Sequence, residues 1–139
     1  MAIMDRKEKV FEVENISHLK QNLMFLSESK ENVILLDSNN KKNDYEFIFS
    51  YGKISELKSS DNSLEKLDNY IKQVNDWIFG FISYDLKDEI EDLKSKNLKY
   101  FDVPNLSFFQ PSTIWIFDGV ILKALSLIHI SEPTRRAII

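Results

Sequence analysis

The sequence predicts an α+β domain with a mainly antiparallel sheet and packed helices, and three observations carry that prediction. Runs of β-branched and aromatic residues outnumber the segments with helical spacing. Several of these runs are joined by short polar turns, which favour antiparallel pairing. Asp118–Gly119, between two such runs, is a tight-hairpin signal.

The elements follow in order. Ile16, Leu19, Leu23 and Leu26 recur at helical spacing in NISHLKQNLMFLSES, with Asn15 or Ser17 as the expected cap. NVILLDS, a short β-branched and apolar run, reads as a buried strand. After the polar turn NNKKND, YEFIFSYG reads as a second strand antiparallel to it. Gly52 permits a further reversal into KISEL, a weaker third strand. Ser63 opens a helix with Leu64, Leu67, Ile71 and Val74 on one face.

DWIFGFISYD is apolar on both faces and is expected inside the sheet. Gly80 sits in its middle, where a missing side chain implies that another backbone or ring packs close. LKDEIEDLKSK reads as a short helix, residues 97–112 as irregular chain held by Pro104 and Pro111, and TIWIFDGVILKA as a hairpin.

Composition removes whole classes of function. Eighteen Lys and Arg are scattered among twenty-two Asp and Glu, for a net charge of -4, with no basic stripe for a nucleic acid. There is no cysteine, hence no disulfide, thiolate nucleophile or thiolate metal site. The amino terminus carries no apolar signal region, and no apolar run is long enough to span a bilayer, so a cytoplasmic protein with no membrane partner is expected. Three isolated glycines cannot build a Walker loop or a dinucleotide fingerprint.

The carboxy-terminal segment stands apart. Residues 125–135, LSLIHISEPTR, match one reading frame of a transposase adapter used in sequencing libraries, without a mismatch. Residues 125–139 are therefore read as an adapter-derived, non-native tail, and the native protein is expected to continue past Ala124. His129, Arg135 and Arg136 drop out as functional candidates.

Two constellations remain. Asp85, Asp88, Glu89, Glu91 and Asp92 surround the stripe Leu86, Ile90 and Leu93. Acid at the start and Lys94 and Lys96 at the end suit the helix dipole, with Asp85 as N-cap and Lys87 able to pair with Glu91. A hard-cation site would need oxygens converging from more than one element, so the cluster reads as a helix start and a solvated face, with no metal site. Leu35–Ser38 ends a strand in Asp-Ser, a place where small ligands bind but also where an ordinary turn forms. His18, on the first helix, lacks a nucleophile partner in the sequence.

Taken together, VILLDSNN, YEFIFSYG, DWIFGFISYDLKDEIEDL and VPNLSFFQPSTIWIFDG resemble the amino-terminal domain of the chorismate-utilising enzymes, the anthranilate synthase component I family. The matching positions are Leu35–Ser38, Gly80–Asp85, Pro104–Leu106 and Ile114–Asp118, and the resemblance covers residues 10–124. It is nearest to the aminodeoxychorismate synthase branch. It implies residues 1–124 of a larger fold whose carboxy-terminal chorismate-binding domain, with the catalytic residues and the Mg²⁺ site, lies outside this chain. The whole enzyme would convert chorismate and ammonia to 4-amino-4-deoxychorismate for p-aminobenzoate and folate synthesis, with ammonia from a glutaminase subunit. The present chain would be catalytically silent, with no catalytic residue and no cofactor of its own.

In several family members the amino-terminal domain holds tryptophan. Ser38 matches the serine of that pocket and Tyr45 is a looser match, although NDYEF lacks the family's neighbouring basic residue. Two alternatives stand beside this reading: anthranilate synthase component I, and a stand-alone ligand-binding or interaction domain.

Overall fold

A computed structural model describes residues 5–13, 15–38, 45–90 and 103–127. The architecture is α+β with two antiparallel sheets. The chain divides into two compact units, residues 5–53 with the segment from Pro111 onward, and residues 54–110.

The first unit contains β1 (Lys7–Glu12), a 3₁₀ turn (Ile16–His18), α1 (Leu19–Leu26), β2 (Ile34–Asp37), β3 (Phe47–Tyr51), β7 (Thr113–Phe117) and β8 (Ile121–Ser126). Its five strands run in the order β1-β8-β7-β3-β2. One face gathers Phe11, Phe47, Phe49, Trp115, Phe117, Leu122 and Ala124 beneath Leu19 and Leu23 of α1. The alternation of β3, β7 and β8 creates that face, because every second side chain of a strand points the same way. Each fully buried large side chain contributes about 1.5–3 kcal/mol. β7 lies in the middle of the sheet and is buried at all its positions.

The expected hairpin is present, with Phe117 opposite Leu122. Asp118 Oδ1 accepts from the Val120 and Ile121 amides at 2.9 and 2.8 Å, so the turn is held by a carboxylate as well as by its dipeptide. β8 continues through Leu125 and Ser126, two residues beyond the boundary placed at Ala124, and pairs there with Glu8 and Lys7. Residues 128–139 lie outside the described residues.

The second unit contains β4 (Ser55–Ser59), α2 (Ser63–Val74), β5 (Phe79–Ile82), α3 (Leu86–Ile90) and β6 (Leu106–Gln110), with its sheet ordered β4-β6-β5. Gly80 packs as its sequence position implies: a Cβ there would lie 2.6 Å from Phe108 Cα and collide with the Ser107 carbonyl.

Several elements differ from the sequence reading. β2 forms and pairs with β3 as expected, but it is an edge strand and Leu35 and Leu36 are exposed. KISEL does not extend that sheet. Gly52, at φ 82°, turns the chain away, and β4 pairs with β6 instead. Among the described residues DWIFGFISYD is not internal: β5 is an edge strand there, and an apolar pattern on both faces does not reveal which neighbours exist. Residues 97–112, read as irregular, contain β6, the middle strand of its sheet; Pro104 and Pro111 lie outside it and bound it.

KEKVFE, to which no element was assigned, is β1; its charges lie on an exposed edge and only Phe11 is buried. The first helix starts at Leu19 without a side-chain cap, since Ser17 Oγ donates to Asn15 Oδ1, and Ile16 is exposed. In α2, Leu64 and Ile71 of the expected stripe are half-exposed, while Ser63 and Tyr70 are buried.

Candidate functional site

The expected ligand site lies at the end of β2. Ser38 is half-buried, and its amide donates to the Glu46 carbonyl at 2.9 Å, continuing the β2–β3 ladder by one residue. Tyr45 is exposed. Asp37 forms an ion pair with Lys20 of α1, whose ammonium lies 5.8 Å above the Phe47 ring. The carboxylate thus ties β2 to the helix that covers the core. Residues 39–44, between the two candidates, lie outside the described residues.

The acidic cluster has a different and more specific geometry. Glu89 is not merely a solvated side chain. Its Oε1 accepts from the Ser63 amide at 2.8 Å, and its Oε2 accepts from Ser63 Oγ and Asn105 Nδ2, each at 2.7 Å. This arrangement answers a local deficit in α2. Asn62, at the N-cap, has φ 48° and makes no side-chain cap bond, so the first turn's amides need an acceptor from elsewhere. Glu89 of α3 supplies that acceptor, and its charge faces the positive end of the helix dipole.

Burial pushes the Glu89 carboxyl up, but the hydrogen bonds from Asn105 and Ser63 outweigh it and hold the group below the usual carboxylate range. An ionised carboxylate with three donors is a poor proton acceptor at neutral pH. The group fastens α2, α3 and the segment that leads into β6. Beside it, Ser60, Asp61, Leu64, Glu65 and Glu89 line a shallow hollow of about 360 Å³.

A polar relay joins the other end of the same unit. Ser55 Oγ donates to Gln110 Oε1 at 3.0 Å and lies 2.7 Å from the Tyr70 hydroxyl, while Gln110 Nε2 donates to Asp76 Oδ2 at 2.9 Å. Since Ser55 spends its proton on Gln110, Tyr70 is the donor to Ser55. Ser55, Tyr70, Gln110, Glu56, Lys66 and Gln73 line a second hollow of about 580 Å³. Neither hollow is lined by Ser38 or Tyr45.

In the five-stranded unit the buried Trp115 indole donates to the Tyr51 hydroxyl at 3.1 Å. Burial pushes the Tyr51 phenol up, opposed by its bonds to Trp115 and Thr113. Ser126 Oγ donates to the Ser112 carbonyl at 3.1 Å and lies 3.2 Å from Thr113 Oγ1. Arg6 closes the end of this sheet, donating to the carbonyls of Pro111 at 2.6 Å and Ser112 at 3.3 Å.

No group of three or more His, Asp or Glu converges on a metal-sized site among the described residues. The Asp88 side chain, Glu91 and Asp92 lie outside them, as does the Lys87–Glu91 pair; Lys87 Nζ sits 4.0 Å over the Tyr84 ring. His18 is exposed, with Nδ1 3.4 Å from Gln21 Oε1. No helix among the described residues is long and apolar enough to cross a membrane.

Sequence reasoning missed Ser63, Glu89 and Asn105 as a working group. Spacing along one chain cannot show that residues 26 and 16 positions from Glu89 converge on it. The sequence carried no signal for it, because Asn62 is a good N-cap by residue type and only its left-handed backbone, at φ 48°, leaves α2 needing an acceptor from outside. No family model, curated protein or solved structure matches the chain.

Proposed function

We propose that this chain is the amino-terminal part of a chorismate-utilising enzyme of the aminodeoxychorismate synthase type. The observation that supports the reading is the location of the four family-like segments. Leu35–Ser38 runs through the end of β2, Gly80–Asp85 joins β5 to α3, Pro104–Leu106 enters β6, and Ile114–Asp118 is β7 running into its hairpin. They occur in the family's order within an antiparallel α+β chain.

In this reading the chain is a scaffold. The whole enzyme would replace the chorismate hydroxyl with ammonia from a glutaminase subunit, and Mg²⁺ would assist by neutralising charge on the substrate. The described residues do not fit a Mg²⁺ site. No group of three or more carboxylates or histidines converges among them, and Glu89 is already bonded to Ser63 and Asn105. No step of the reaction is therefore assigned to them. Ser38 and Tyr45 are the residues offered for a bound tryptophan.

The test is to recover the genomic reading frame downstream of Ala124 and assay its product with chorismate, ammonia and Mg²⁺. Formation of 4-amino-4-deoxychorismate, with a Pro-Ile-Lys-Gly-Thr segment downstream, is expected. A frame that stops soon after Ala124, or a protein that leaves chorismate unchanged, would overturn the proposal. Calorimetry with tryptophan on the same protein and its Ser38→Ala variant tests the pocket separately; equal heats from both would remove Ser38 from it.

A further inference from the structure

Two large polar side chains are buried where α2 crosses its sheet, a place that ordinarily takes apolar ones. Tyr70 and Gln110 are only 8% and 4% exposed, and with Ser55 they form the floor of the hollow of about 580 Å³. Glu56, Lys66, Asn69 and Gln73 are exposed and form its rim. Lys66, Asn69, Tyr70 and Gln73 stand at i, i+3, i+4 and i+7, so α2 turns one face toward the hollow. Every lining residue belongs to the unit of residues 54–110.

The polar relay in that floor has a fixed direction. A carboxylate only accepts, so Asp76 takes the Gln110 nitrogen and leaves Oε1 to Ser55. Ser55 donates its one hydrogen to Gln110 and accepts from the Tyr70 hydroxyl. Tyr70 has then given its own hydrogen away, so any further partner of its oxygen must be a donor. The Gln110 amide nitrogen carries two hydrogens, and Asp76 takes one of them.

We infer that this hollow is a binding site for a small neutral polyol of monosaccharide size. The relay leaves an acceptor at Tyr70 and a donor at Gln110. A ligand hydroxyl meets both, because it donates and accepts at once. The side-chain amides of Asn69 and Gln73 on the rim have the same double character, so the lining can engage several hydroxyls together. Leu57 and Val74, both half-buried, supply apolar surface for the C–H groups of such a ligand. The volume lies within the range of small-molecule sites, about 300–1,000 Å³.

Other ligand classes match the lining less well. An anion finds a single cation, Lys66, whose ammonium already bonds Asp61 at 2.9 Å, and it would face the lone pairs of Tyr70. A cation meets Lys66 on the same rim as Glu56. A zwitterion has the same difficulty as the anion, since its carboxylate must compete with Asp61 for Lys66. An apolar ligand would cover Tyr70 and Gln110 without making the bonds they still offer. This inference does not rest on the proposed enzymatic role.

The experiment is an amide NMR titration of the 139-residue chain with glucose and with myo-inositol, and with inorganic phosphate, glycine and ethylammonium as comparison probes. At least one polyol should give saturable shifts centred on Ser55–Leu57, Lys66–Val74 and Gln110. Tyr70→Phe keeps the ring and removes the acceptor, and it should raise the dissociation constant about threefold to tenfold. Asn69→Ala and Gln73→Ala lie at exposed positions outside the relay. At least one of them should weaken binding about twofold or more with the urea midpoint unchanged, so a loss in Tyr70→Phe is not mistaken for unfolding. No saturable shift with either polyol up to about 50 mM would overturn the inference. So would shifts centred elsewhere, or tighter binding of phosphate, glycine or ethylammonium than of both polyols. Full affinity in Tyr70→Phe, or in both rim variants, would overturn it equally.

Discussion

All five residues of β7, in the five-stranded unit, are buried, whereas among the four residues of β5, in the three-stranded unit, burial reaches Phe79 alone. The two tryptophans show the same contrast. Trp115 is fully enclosed and hydrogen-bonded to Tyr51, while Trp77 is 40% exposed and stacked on Phe79 with ring centroids 6.1 Å apart. One unit gathers its aromatic residues into a closed core beneath α1. The other relies on polar fastenings, Glu89 at one end of α2 and the Tyr70–Ser55–Gln110–Asp76 relay along it. Apolar truncation should therefore damage the first unit most, and loss of single polar or backbone-close groups the second.

Trp115→Ala should have the largest effect. It removes the largest fully buried side chain and leaves the Tyr51 hydroxyl without its indole donor, a loss of about 3–5 kcal/mol. Urea unfolding checks the magnitude, and amide exchange should place the lost protection first in β3, β7 and β8. Protection lost equally in β4, β5 and β6 would break the comparison, because the two units would then share one core energetically.

Gly80→Ala tests the other unit. The added methyl meets the Ser107 carbonyl and Phe108 Cα, backbone atoms that cannot move aside as a flexible side chain can. The expected cost is about 1–3 kcal/mol, read from the urea midpoint. Trp77 emission is the local reporter in a Trp115→Phe background, and it should shift at lower urea than in that background alone. An unchanged midpoint would mean that β5 and β6 separate more easily than their close approach implies.

The same contrast governs how much the sequence could tell. The hairpin around Asp118–Gly119, the β2–β3 pairing, and Leu19 and Leu23 of α1 were legible, because alternation and turn chemistry act over a few residues and feed a single buried face. The three-stranded unit was not. Flanking prolines disguised β6 as loop, although Leu106 and Phe109 are buried, and the apolar run of β5 suggested a centre where there is an edge. The stripe of α2 pointed to Leu64 and Ile71, but the helix turns Ser63 and Tyr70 inward to reach Glu89 and Ser55. Where polar contacts between distant residues decide the packing, hydrophobic periodicity misleads.

The acidic cluster illustrates the same limit. Its charge pattern suits a solvated face, and only the tertiary arrangement shows Glu89 bonded to Ser63 and Asn105. Glu89→Gln keeps the shape but weakens the acceptor for Ser63 and Asn105, and one amide oxygen must replace two carboxylate oxygens. Discounted for partial exposure, the cost is about 1 kcal/mol. The pH dependence has a definite sign. The folded-state pKa of Glu89 lies below the ordinary carboxylate value, so its contribution is present above the unfolded pKa and is lost as pH falls through the folded one. Acid titration followed by α2 amide exchange should show this loss in the wild type and not in Glu89→Gln. Identical acid profiles would return Glu89 to the solvated face the sequence suggested.

The smallest effect falls where the adapter match and the fold meet. The sequence reading assigned residues 125–139 to an adapter-derived tail, yet the Ser126 hydroxyl is fully buried, donating to Ser112 and lying beside Thr113. Ser126→Ala removes both contacts. The Ser112 carbonyl still receives the Leu127 amide at 3.1 Å and Arg6 at 3.3 Å, so it is not orphaned, and the loss should stay at about 0.5–1 kcal/mol. Exchange should quicken at the Lys7–Ser126 end of the β1–β8 ladder and remain unchanged at Phe11–Leu122. The two halves of that ladder then separate what this chain's tail contributes from what β1 and β8 hold by themselves. If Ser126→Ala leaves the Lys7 end unaltered, Ser126 fills a place that any small residue could fill, and the closure of the sheet belongs to Arg6. If the whole ladder loosens, the five-stranded core depends on a residue that the adapter reading excludes from the native protein, and the second residue after Ala124 in the genomic frame must supply an equivalent buried hydroxyl.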